Sequence, residues 1–138
     1  MDDDALIDLV LRFARELNEL QLKYYPLLDQ DGGDVRVIHQ SYRTEADNIY
    51  ARYLTGRKRS CYYAISSPPH FLGVNELALK TVDYDGNRAT VTVYARENLL
   101  DFQFNLVCRK GVWLINSYKQ RYRSQDRELV YQWLYGNF

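Results

Sequence analysis

Few side chains in this chain of 138 residues have the type and spacing to do chemistry. General-base catalysis needs an Asp, Glu or His in an apolar setting beside a group that tunes it. The tempting bases are His39, His70 and Asp47, with Asp101 as an outsider. His70 follows Pro68-Pro69 and is expected in a surface loop. His39 falls beside the apolar stripe of a helix, and Asp47 on the polar side of the same helix. No His–Asp pair stands at a spacing that would orient a base, so each is expected to be structural or solvated. The two His and the two Cys, Cys61 and Cys108, are scattered and form no metal-ligand pattern. Both cysteines lie in alternating apolar contexts and read as reduced core thiols, the alternative being a disulfide between neighbouring strands. Asp31-Gly-Gly-Asp34 lacks the Lys and the preceding strand of a phosphate loop. No nucleophile motif is present, and no cofactor is expected.

Residues suited to binding are more plentiful. The chain has 13 Tyr against 5 Phe and 2 Trp. Alternation places Tyr62, Tyr94, Tyr118 and Tyr122 on outward or half-exposed faces, with Arg96, Arg121 and Arg123 interleaved. Tyr and Arg are enriched at protein interfaces because each joins wide contact area to a polar handle. Tyr also tolerates half-burial on a twisted sheet without any partner. Lys119, Arg121 and Arg123 share one face of a strand. That ladder suits either an acidic partner or an edge strand guarded by charge, and the guard reading is slightly favoured.

The bulk composition bounds the rest. Lys plus Arg and Asp plus Glu are 18 each, so the net charge is zero. Proteins that live on a phosphate backbone carry a basic excess, so no nucleic-acid partner is expected. Near-zero charge mildly favours self-association or a complex. The start, Met-Asp-Asp-Asp, is acidic where a signal peptide is basic. No apolar run approaches the roughly 18 residues that span a membrane. The expected location is the cytoplasm, and the length fits a single domain over 1–138.

The elements that must position these residues follow from periodicity. Leu6, Val10, Phe13, Leu17, Leu20 and Tyr24 draw one apolar stripe down a helix that Pro26 ends or kinks. Ile38, Tyr42, Ala46, Ile49 and Tyr53 form the face of a second helix, widened by Tyr50 and Leu54 and stopped by Gly56. A short strand is expected over 60–65. Two alternating runs, Glu76 to Tyr84 and Arg88 to Glu97, make a hairpin at Asp85-Gly86-Asn87. A second hairpin joins Asp101–Cys108 to Val112–Tyr122 through Arg109-Lys-Gly111. A last helical turn is expected to use Leu129, Val130, Trp133 and Leu134. Helices first and strands afterwards mean α+β, with the helices on a strongly bent, mainly antiparallel sheet.

The ending Arg109-Lys-Gly-Val-Trp-Leu-Ile-Asn-Ser117 resembles the nuclear transport factor two-like superfamily, an α+β cone that includes isomerases, dehydratases and binding modules. In that pattern Trp113 and Ile115 share one face and pack on the helix. The paired-helix start, the passage Tyr53-Leu-Thr-Gly-Arg-Lys-Arg-Ser-Cys61 and the basic, aromatic tail Lys119 to Arg123 resemble most its bacterial immunity proteins, which neutralise toxins. The resemblance implies a non-enzymatic protein that binds one cognate toxin. Its anchors would lie on the outward sheet face: Tyr94, Arg96, Gln103, Lys119, Arg121 and Arg123. The alternatives are an isomerase- or dehydratase-like cone, marked by an ionisable residue in an open apolar cavity, and a homodimeric scaffold.

Overall fold

The structure is a computed structural model that describes residues 3–28, 34–56, 65–94, 100–122 and 132–136. Helix α1 spans Asp3–Leu28, and its stripe Leu6, Val10, Phe13, Leu17, Leu20 and Tyr24 is buried as the spacing predicts. Ala14, Asn18 and Gln21 are buried with it. Pro26 lies inside the last turn and does not stop the helix at once. A ring so near the end removes one terminal hydrogen bond and leaves little helix beyond it to disrupt.

Helix α2 spans Val35–Tyr53. The side chain of Asp34 caps it by accepting from the Arg36 N–H at 3.0 Å. Tyr42, Ala46, Ile49 and Tyr53 face the core. The helix ends earlier than Gly56 suggests. Leu54 is the cap, in extended geometry and only 3% exposed. It leaves the helix to form a parallel bridge with Ile115, and the Thr55 N–H donates to the Ile115 carbonyl at 2.9 Å. Burying a leucine and satisfying a strand carbonyl outweigh a left-handed cap two residues later. The run Arg57 to Arg59, Cys61, Tyr62 and most of the strand expected over 60–65 lie outside the described residues; Ile65 is not in a strand.

The strands are β1 Leu79–Asp85, β2 Arg88–Tyr94, β3 Leu100–Arg109, β4 Val112–Tyr122 and β5 Leu134–Tyr135. They form one open antiparallel sheet in chain order, with the two helices packed against it. The α+β class is therefore as the sequence implies. β1 begins later than the alternation suggests, because the Asn75 side chain accepts from the Leu77 and Ala78 N–H groups and holds a turn there. The β1–β2 turn places Gly86 at φ +63°, and the β3–β4 turn places Lys110 and Gly111 at +52° and +79°. In the β3–β4 turn both central residues thus have positive φ, as a tight hairpin of type I′ requires. Leu134 is in β5, so the helical turn expected there does not reach it; 123–131 lies outside the described residues.

The core is aromatic. Phe13 of α1 meets Tyr53 of α2, Phe71 of the 65–78 segment and Phe104 of β3 at centroid distances of 6.2, 5.8 and 6.5 Å. Phe71 in turn contacts Phe102 and Tyr118 at 5.1 and 5.0 Å. Phe13, Phe102 and Phe104 are fully buried, each contributing about 2–3 kcal/mol by transfer from water.

Candidate functional site

Register decides which side chains share the outward face. Thr81, Thr92, Gln103, Lys119 and Tyr135 are successive cross-strand partners, and Asp83, Thr90, Asn105 and Ser117 form the adjacent row. Facing the helices, Val82, Val91, Phe104 and Tyr118 form an inner row. One irregularity sets this phase. Leu106 pairs with Ile115 but Asn105 pairs with Ser117, so Asn116 is an extra residue in β4. A bulge of one residue flips every later side chain to the opposite face. It turns Tyr118 inward, 4% exposed, where plain alternation from Trp113 and Ile115 had put it outside. Asn116 is held by Thr55, whose hydroxyl donates to its Oδ1 at 2.8 Å. Ile115 is in the core, while Trp113 is half-buried against Tyr84 at 6.3 Å.

The structure brings four of the expected anchors into one region. Gln103 and Lys119 are direct cross-strand partners, and the Arg121 guanidinium lies 5.7 Å from the centre of the Tyr94 ring. Arg96 and Arg123 lie outside the described residues. Arg121 is engaged within the chain. Its Nε donates to Asp101 Oδ2 at 3.0 Å, and the Trp133 ring stacks on it at 4.3 Å. Asp101 is fully buried although it points away from the helices. The Lys119 ammonium sits 4.7 Å over Tyr135. β4 is also not a bare edge, since Leu54 and β5 both pair along it, so the edge-guard reading of the basic ladder does not hold. The strands at the edges of the described sheet are β1 and the two-residue β5.

The other chemistry lies between the helices and the sheet. His70 is half-buried, not on the surface as its loop position suggests. Its backbone N–H and the Ser66 hydroxyl donate to Gln21 Oε1 at 3.0 and 3.1 Å, while Gln21 Nε2 donates to the Tyr42 hydroxyl at 3.2 Å. Asn18 Nδ2 donates to the Phe71 carbonyl at 2.9 Å. Two buried amides on α1 thus fasten the 66–71 segment over the sheet. His70 Nε2 stands 3.1 Å from the Tyr118 hydroxyl, and its ring packs on Phe71 and Phe102. Burial pushes this imidazole below its ordinary value, opposed by a side-chain contact with Gln120. Sequence offered no sign of the His70–Tyr118 pair, which depends on the bulge. His39 and Asp47 are exposed on α2, as expected.

The clefts on the described surface include three of similar size. One lies between the helices, about 340 Å³, spanned by Tyr24–Glu45–Lys23 and Tyr53–Glu16–Arg52 contacts. Hydrogen bonding to Glu45 pushes the Tyr24 hydroxyl up to about 12 and holds Glu45 below the ordinary carboxylate value. A more apolar groove of about 470 Å³ lies between α1 and the 72–77 turn. A polar cleft of about 340 Å³ lies against the Asp83 row of the sheet. Neither His70 nor Tyr118 lines any of the three. Among the described residues no group of His, Cys, Asp and Glu could hold a metal ion, and Cys108 is a free thiol. Within the same residues no helix is long and apolar enough to cross a membrane.

Compared with known proteins, the chain matches no family model, no curated protein and no solved structure.

Proposed function

We propose that this chain is a non-enzymatic binding protein with a nuclear transport factor two-like cone, and that it acts in the bacterial cytoplasm as an immunity protein against one cognate toxin. The observation that carries the reading is the filling of the space between helices and sheet. Phe13, Phe71, Phe102, Phe104 and Tyr118 occupy it with their own rings, which leaves the outer surfaces for contact with a partner. On the outward face, Tyr94, Gln103 and Lys119 supply an aromatic body, an amide and a cation close together. Such residues serve as interface anchors. Tight binding needs roughly 1,200 Å² of buried surface in total, within reach of a sheet face of this size.

The test is affinity capture of the full chain from its own host, followed by reconstitution with the captured toxin. One stoichiometric partner with a toxin domain is expected, and Lys119→Glu with Tyr94→Ala should weaken it at least about 100-fold, as loss of two anchors does. A host toxin inhibited equally well by the double variant sinks this assignment of the surface. Absence of any toxin partner sinks the immunity reading.

A second reading, an isomerase- or dehydratase-like cone, has one observation in its favour. His70 and Tyr118 pair at 3.1 Å in an apolar setting, as a base and an enolate-stabilising phenol would. A bound apolar ketone or steroid beside them would support it.

A further inference from the structure

We infer that the cleft along the Asp83 row is a binding site for an uncharged, polyhydroxylated ligand of the sugar class. This goes beyond the toxin-binding reading and does not rest on it. The register places Asp83, Thr90, Asn105 and Ser117 side by side on four consecutive strands. At the usual spacing of neighbouring strands the row spans about 14 Å, the length of a disaccharide. The cleft over it, about 340 Å³, is of the size that holds small ligands. Asn105 Nδ2 donates to Ser117 Oγ at 3.0 Å, which fixes both side chains and directs the Asn105 carbonyl oxygen elsewhere. Thr90, Asn105 and Ser117 are half-buried, whereas Asp83 is exposed at the rim. Tyr135 closes one end with a ring that is 71% exposed.

The chemistry of the lining selects the ligand. An apolar molecule would cut the Asp83 carboxylate, the Thr90 hydroxyl and the remaining hydrogen-bonding capacity of Asn105 and Ser117 off from water, at a cost of about 1–3 kcal/mol each. A strongly charged one would meet Asp83 and Arg88, of opposite sign, neither of which has an ion-pair partner among the described residues. A sugar matches both halves of the site. Its vicinal hydroxyls donate to the Asp83 carboxylate and exchange hydrogen bonds with Thr90, Asn105 and Ser117. Its C–H face lies on the Tyr135 ring, apolar against apolar. Tyr94 and Arg121 stand at the other end of the strands, whereas Lys119 lies over Tyr135, so the cleft borders the proposed toxin contact at that one residue.

The test is titration of the isotope-labelled full chain with glucose, maltose, cellobiose and diacetylchitobiose, read by amide chemical shifts, with glucose 6-phosphate as the charged control. At least one neutral sugar should move the Thr90, Asn105 and Ser117 amides saturably, with Kd of about 10 mM or tighter. Asp83→Asn and Tyr135→Ala alter exposed positions and leave the fold intact; each should weaken that binding at least about fivefold. Absence of saturable shifts, equal binding by both variants, or binding of the phosphorylated sugar alone overturns the inference. The experiment contains no toxin, so its failure is distinct from failure of the immunity reading.

Discussion

Replacing Arg121 by Met should cost this protein a large part of its stability. Asp101 is fully buried, and the Arg121 side chain that faces it at 3.0 Å is 20% exposed. At an effective dielectric near 20, two charges about 4 Å apart attract by about 4 kcal/mol. Breaking a buried pair from one side strands the remaining charge and costs about 3–5 kcal/mol. The Arg12–Asp8 pair makes the control. Its side chains are 55% and 60% exposed, and Arg12→Met should cost no more than about 1 kcal/mol. Urea unfolding at pH 7 followed by tryptophan fluorescence measures both, and the Arg121→Met loss corresponds to about 10 °C or more in Tm. Asp101→Leu combined with Arg121→Met should recover at least about half of the loss, because an apolar pair of similar volume replaces a buried ion pair at little cost. A loss below about 1 kcal/mol for Arg121→Met refutes the dependence of Asp101 on this guanidinium. A double variant as unstable as the single refutes the stranded charge as its cause.

Three further outcomes are expected. Gly136→Ala should destabilise β5, because a Cβ there would overlap the Tyr118 ring; faster amide exchange at Gly136, whose N–H bonds to the Tyr118 carbonyl, reads the effect, and unchanged exchange contradicts it. Lys110→Asn should raise stability by about 0.5–1 kcal/mol in thermal melts, since Lys110 sits at φ +52°, which Asn tolerates better; no gain contradicts the strain. His70 has a folded-state pKa below its ordinary 6.5, so between those two values the unfolded chain binds the extra proton. Stability should therefore fall as pH drops below about 6.5, ahead of any contribution from Glu45, which titrates below 4.5; His70→Gln should flatten the upper part of that slope, and an unchanged slope assigns it elsewhere.

Much of the fold was legible because one side of each element is buried. The α1 stripe and the α2 face follow from spacing alone, and the Asp-Gly and Lys-Gly turns mark both hairpins. What spacing does not carry is competition between local and tertiary demands. Gly56 is a fair helix stop, yet Leu54 leaves the helix first to pair with Ile115. His70 follows two prolines and reads as surface, yet Gln21 and Asn18, polar residues within an otherwise apolar stripe, draw its segment into the core. Those amides were the available signal. A polar side chain on the buried side of a helix needs a partner, and the nearest chain with free backbone groups supplies it.

The outward sheet face shows how far alternation can be taken. Alternation assigns a side chain to a face, but the covering of that face is a separate matter. Thr92 and Asp101 both point away from the helices, yet they are 4% and 0% exposed. Trp133, far along the chain, stacks on the arginine that pairs with Asp101. The bulge at Asn116 then decides which residues reach that face at all. With it, Lys119 and Arg121 point outward and Tyr118 reaches His70; without it, the three would exchange sides. A single inserted residue, held by Thr55 at the exit of α2, thus sets both the outer binding surface and the inner polar pair. Deleting Asn116 should therefore disturb both together, whereas a change at Lys119 alone leaves the His70–Tyr118 contact in place.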